Sequence, residues 1–175
     1  MNKFNYRSQT GVTLIISLII LVTLTILGLT SMQSSRTEIS MAGNQRESGI
    51  TFNAAEAGLR DAEGFVTNSI SKSIYNDPTI GLFDRLDVDP DYGDEVAWTA
   101  SQVAPTTLPH VAAQPQFIIK YLGDRSQNEV AAVNIGGYGS SQPGITVSNF
   151  RITARGTGQT GNAYRYVQSY FGKEY

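Results

Sequence analysis

The residues best suited to chemistry lie in a few short stretches. In DVDPDYGDE (87–95), Asp87, Asp89 and Asp91 alternate like the opening ligands of a calcium loop. An EF-hand counted from Asp87 needs Gly at its sixth place and Glu at its twelfth, where this chain has Tyr92 and Trp98. The reading adopted is an acidic surface loop, with calcium in another geometry as its alternative. GTGQTG (156–161) is a literal G-x-G-x-x-G. A dinucleotide site needs a helix directly after it and an acid about 20 residues on. A strand-like run follows instead, and only 14 residues remain after Gly161, so a hairpin loop is expected. His110 is the only histidine and lies between Pro109 and Val111, with no motif around it. GYGSSQPG (137–144) holds serines but no G-x-S-x-G. Glu56 and Glu63 share a helix face at a spacing of seven, and read as solvated or subunit-pairing charges. Nothing converges into a catalytic set, so neither an enzyme nor a cofactor is expected.

Composition narrows the classes further. The chain has 175 residues, 13 basic and 15 acidic, with a net charge of −2 and no cysteine. Disulfides, thiolate metal sites and cysteine nucleophiles are excluded. A mildly acidic chain without a Lys/Arg cluster is not built for nucleic acid.

The elements that must carry these residues begin with an apolar run. Residues 8–35 contain no charge, and Val12–Met32 is long enough, roughly 31 Å as a helix, to cross a ~30 Å hydrocarbon core. A secretory h-region is shorter, about 7–15 residues, and ends in a small-residue cleavage site; TSMQSSRTE after this run has no such pattern. Lys3 and Arg7 precede the run, which places the N-terminus in the cytoplasm and the remainder outside. A plain signal anchor would satisfy these observations.

The helical pattern continues past the apolar run. No proline occurs between Arg36 and Ser71, and Phe52, Ala55, Leu59, Ala62 and Val66 recur at a 3-4-3-4 spacing that draws one stripe. One helix from about Val12 to Ser71 is expected. Gly28, Gly43, Gly49, Gly58 and Gly64 interrupt it. They mark close packing or bending, or one or two real breaks, foremost near MAGN (41–44).

Two stretches carry a resemblance. The basic leader ends in Gly11, and VTLI follows at once. RTEISMAGNQRESGITFNAAEAGLRDAE (36–63) combines Met41, Ala42, Gly43 and Asn44 with the Ala54–Ala57, Leu59–Arg60 and Glu63 block. Together, over about residues 7–66, they resemble the N-terminal region of PilX-type minor pilins of the type IV pilus. The resemblance implies cleavage by a prepilin peptidase between Gly11 and Val12, N-methylation of Val12, and a Thr13 next to the junction. It implies an assembly helix whose apolar half is first a membrane anchor and then filament core. Major pilins carry a glutamate where this chain has Ile16; the departure argues against an ordinary shaft subunit and for a place at the tip.

Residues 72–115 hold Pro78, Pro90, Pro105, Pro109 and Pro115 and no sustained period. They read as an irregular connection. QFIIKYL (116–122), EVAAVNI (129–135), SNFRITARG (148–156) and AYRYVQSYF (163–171) read as strands. The expected fold is α+β: leader 1–11, helix 12–71 with 12–32 as its membrane half, connection 72–115, and an antiparallel sheet of about four strands in 116–175. By resemblance the chain primes pilus assembly in a tip complex and supports twitching motility and adhesion. The implied partners are other minor pilins, the major pilin, the prepilin peptidase, the inner-membrane assembly platform and a large tip adhesin. A type II secretion pseudopilin and an adhesive tip-binding module are the alternatives.

Overall fold

The computed structural model describes residues 10–127 and 145–175. The leader residues 1–9, the expected strand at 129–135 and the 137–144 stretch lie outside the described residues. Helix α1 runs Thr10–Asn68. Two 3-10 turns follow, Lys72–Ile74 and Pro78–Ile80. Then come β1 (Leu82–Phe83), α2 (Glu95–Thr99), β2 (Gln102–Val103), β3 (Gln116–Gln127), β4 (Ile145–Thr157) and β5 (Tyr164–Glu174). The chain forms two compact units, Met1–Gln45 and Arg46–Tyr175.

The second unit is α+β. Its sheet has the order β1-β3-β4-β5, with β2 also on β3. The three long strands are antiparallel neighbours. β1 lies parallel to β3, and β2 lies antiparallel to it farther along the same edge. The sheet is therefore mixed rather than purely antiparallel. Two-residue strands carry no period of their own, which is why the sequence shows only the long ones.

Helix residues 46–68 pack on one face. Ala54, Ala55, Ala62 and Val66 are buried, and Ala62 and Val66 share one core cluster with Phe117, Ile119, Phe150, Ile152 and Ala154 of β3 and β4. Small helix residues let the sheet come close. A Cβ on Gly58 would lie 2.9 Å from the Pro115 Cβ, and one on Gly156 would run into the Thr51 carbonyl oxygen and the Ala55 nitrogen. The expected stripe needs one correction. Phe52 is 46% exposed, and Thr51 takes its place in the core, donating its hydroxyl to the Ser48 carbonyl at 2.8 Å. A phenylalanine ring there would hold apart the helix and the glycine-bearing end of β4. Leu59 packs at the border of the core. Of the six glycines in α1 only Gly58 meets another part of the chain; a Cβ on Gly11, Gly28, Gly43, Gly49 or Gly64 meets nothing within 4 Å. α1 is continuous through MAGN.

The opposite sheet face is covered by the 84–100 stretch. Trp98 of α2 is buried, donates its indole N–H to the Tyr92 carbonyl at 2.9 Å and stacks on Tyr166 at 5.5 Å. Arg155, also buried, lies 4.9 Å from the Trp98 ring and pairs with Glu95 at 2.6 Å. Both faces being covered explains why neighbouring β3 residues Ile118 and Ile119 are both buried.

Candidate functional site

The first unit is described by itself. Every residue of it from 11 to 45 is exposed. Among them Val12, Leu14, Ile15, Ile16, Leu18, Ile19, Ile20 and Leu21 are each more than half exposed. The segment is long and apolar enough to cross a membrane. Its hydroxyls suit that medium: Ser17, Thr23, Thr25 and Thr30 each donate to a carbonyl three or four residues back, at 2.7–2.9 Å. Gly11, Val12, Thr13 and Ile16 lie in the first turns of α1. Met41, Ala42, Gly43 and Asn44 are each exposed, Met41 to 70%.

The rest of the singled-out helix residues divide between two tasks. Ala55 belongs to the core. Glu56 pairs with Arg60 at 3.4 Å along the helix. Glu63 accepts from the Ser169 hydroxyl at 3.2 Å and so ties α1 to β5. The two glutamates thus have separate partners.

The acidic stretch is used internally. Asp89 accepts from Lys120 at 2.6 Å and Arg151 at 2.5 Å. Lys120 and Arg151 face each other across β3 and β4, so Asp89 neutralises a like-charged cross-strand pair. Arg151, then Lys120, hold its carboxyl below the usual range. Asp87 accepts from the Asp84 backbone N–H at 2.7 Å, and Asp91 accepts from that of Gly93 at 2.9 Å. The three carboxylates have separate tasks, and the described residues hold no group of three metal-ligating side chains.

GTGQTG joins β4 to β5 as a hairpin, with the Gly158 N–H donating to Ala163 at 3.0 Å. Its glycines are a packing device. A Cβ on Gly158 would run into the Glu47 carboxylate, which accepts from the Thr160 backbone N–H at 2.9 Å and its hydroxyl at 2.8 Å. The Thr160 amide is the main cause of a lowered Glu47 pKa. His110 has a left-handed backbone, φ 61°, in keeping with a turn residue.

Three contacts escaped sequence reading. Asp124 accepts from Lys72 at 2.5 Å, Ser148 at 2.6 Å and Tyr121 at 2.7 Å. These bonds, Lys72's first, lower its pKa to about 2. Lys173 donates to the carbonyls of Val66 and Thr67 at 2.9 Å and to that of Ser69, capping the end of α1. Burial pushes up the Tyr75 hydroxyl, which donates to Ser69 at 3.1 Å. A signal for Lys173 existed only in three dimensions, since it lies over 100 residues from the carbonyls it caps.

A cleft of about 580 Å³ in the second unit is lined by Phe65, Ile74, Val103, Pro105 and Phe117, with Asp61 at its wall. Asp61 spends both oxygens on Thr106, at 2.9 Å each.

The described residues present an exposed apolar helix, exposed residues at 41–44, and a folded unit in which Asp89, Glu95 and Asp124 are ion-paired. The family model described as PilX N-terminal matches residues 10–60. Comparison with curated proteins and with solved structures gives no match.

Proposed function

We propose, from the premise that this chain carries the N-terminal region of a PilX-type type IV pilin, that it is a minor pilin that primes pilus assembly. The single observation that carries this reading is a chargeless 12–32 helix, exposed throughout and continuous with exposed residues at 41–44. Such a surface costs free energy in water at about 25 cal/mol per Å². It becomes favourable in a bilayer, and again in a bundle of similar helices.

In this reading the peptidase cuts after Gly11 and methylates Val12. The apolar half holds the chain in the inner membrane, N-terminus cytoplasmic and folded unit periplasmic. The same half then enters the pilus. Ile16 places no carboxylate inside the helix bundle, so no earlier subunit's amine is needed to neutralise one. That suits a position at the tip, with other minor pilins and a large adhesin as neighbours. Twitching motility and adhesion follow from assembly rather than from a reaction.

The test is the intact mass and N-terminal sequence of the protein from membranes with and without a prepilin peptidase. A chain starting at N-methylated Val12 is expected. A chain still starting at Met1 beside an active peptidase would reduce the apolar segment to a plain anchor.

A further inference from the structure

We propose that α1 opens locally at residues 33–45 while its two flanks stay helical, so that this stretch is an extensible link between the membrane-spanning segment and the folded unit. α1 passes through three surroundings. Residues 12–32 carry no charge and suit a bilayer, where no water competes for the backbone N–H and C=O groups. From Glu47 onward the folded unit holds the helix. Glu47 accepts from the Thr160 backbone N–H at 2.9 Å, Ser48 accepts from Arg165 at 3.0 Å, and Thr51, Ala54 and Ala55 are buried. Residues 33–45 have neither support: they follow the apolar run, and each of them is exposed.

The sequence of this stretch, QSSRTEISMAGNQ, gives the helix little support of its own. Ser34, Ser35, Thr37, Ser40, Gly43 and Asn44 are weak helix formers. Serine, threonine and asparagine offer the backbone other hydrogen bonds, and glycine regains the most freedom on opening. The Thr37 hydroxyl donates to the Gln33 carbonyl at 3.0 Å, a back-bond that slightly weakens a helix. Arg36 and Glu38 stand two places apart and so do not face each other, and neither has an opposite charge three or four places away. A helix of about 12–15 residues that buries no face and carries no such pairs is marginal in water. Here the helical flanks supply the nucleus. The stretch therefore closes readily as well as opening, and the result is a local equilibrium.

Opening changes the reach of the chain. The thirteen residues 33–45 span about 20 Å as a helix and up to about 45 Å when drawn out. The link more than doubles without uncovering any part of the core. It also exposes the backbone around Arg36 as a loop, the form in which a protease takes its substrate. Arg60 makes the contrast. Its side chain is 76% exposed, yet its turn of the helix is shared with Leu59 and Ala62 of the core, so its backbone stays closed unless the folded unit opens. The inference rests on the membrane half of the pilin reading and not on cleavage of the leader.

The test is amide hydrogen exchange, read by mass spectrometry, on the full chain in bilayer discs of phosphatidylethanolamine and phosphatidylglycerol. Amides at 36–44 should exchange at least a hundredfold faster than those at 16–30 and at 52–62. Ser40→Ala, Gly43→Ala and Asn44→Ala combined should slow exchange at 36–44 at least tenfold and leave 52–62 unchanged. Trypsin cleavage after Arg36 should slow by the same factor in that variant, because cutting follows the open population. Protection at 36–44 equal to that at 52–62 would overturn the proposal. Fast exchange there that the combined variant leaves unchanged would overturn it too, since helix propensity would not then be the cause. Slow exchange throughout 16–44 would remove the link and keep the membrane span. Fast exchange at 16–30 would remove the span, and the link with it. The first residue of the chain in the same sample, Val12 or Met1, reads leader cleavage separately.

Discussion

At the scale of single residues, the glycines separate into two kinds. Gly156 has the Thr51 and Ala55 backbone where a Cβ would go, whereas Gly43 has open space. Gly156→Ala should therefore destabilise the second unit by about 3 kcal/mol or more, beyond the ordinary cost of overpacking. Gly43→Ala should leave that unit unchanged and favour the helix by up to ~1 kcal/mol. Denaturant midpoints of the full chain in detergent would read both, and equal losses would refute the packing account. Asp124 supplies a second residue-scale expectation. Its carboxyl titrates at about 2 in the folded chain, below an unfolded value of about 3.9. A depressed value means that the contribution is present above pH ~4 and is lost as pH falls through about 2. Asp89 shifts in the same direction. Asp124→Asn should lower stability at pH 6 and flatten its fall between pH 4 and 2. An unchanged acid limb would show that the Lys72–Asp124 contact carries none of the pH dependence.

At the scale of elements, Lys173 decides where α1 ends. The last carbonyls of a helix lack partners within it, and here a lysine from the final strand donates to two of them, Val66 and Thr67, and to the carbonyl of Ser69 just beyond the helix. Lys173→Met keeps the apolar stem and removes the charge. It should cost about 2 kcal/mol, the scale of a hydrogen bond to a charged group, and speed amide exchange over the last helical turns while leaving β3 and β4 protected. Uniform protection would mean that the helix end is held by Ser69 and Tyr75 instead. The elements also show what the sequence makes legible. The long helix and the three long strands announce themselves by period and composition. β1, β2 and α2 do not, because two to five residues cannot display a period. Phe52 fits the helical spacing yet faces outward, because the tight approach of Gly156 leaves room only for Thr51 and Ala55. Spacing reports which residues share a face; it does not report how near the partner comes. GTGQTG could be set aside as a phosphate loop from its context, but its task of admitting Glu47 becomes visible only once α1 lies beside it.

At the scale of the whole molecule, the proposed pilin role raises the question whether the chain's amount would follow the number of filaments or their length. A shaft subunit repeats along the filament, so its copy number grows with length. A subunit that primes assembly enters once, at the start, and stays at the tip. The chain has an apolar helix suited to the bundle, and Ile16 where a shaft subunit of the major-pilin type carries a carboxylate. Its charges in the folded unit are largely spent internally, as at Asp89, Glu95 and Asp124, which leaves apolar surface for contact. These features favour initiation. Loss of the chain should then cut the number of filaments per cell at least tenfold while the few that remain keep their normal length distribution. In sheared filaments sorted by length, its amount relative to the major pilin should fall as the inverse of length. Quantitative mass spectrometry of the sorted fractions gives that ratio directly. A ratio independent of length would make the chain a shaft component, and Ile16 would then need a different partner inside the bundle.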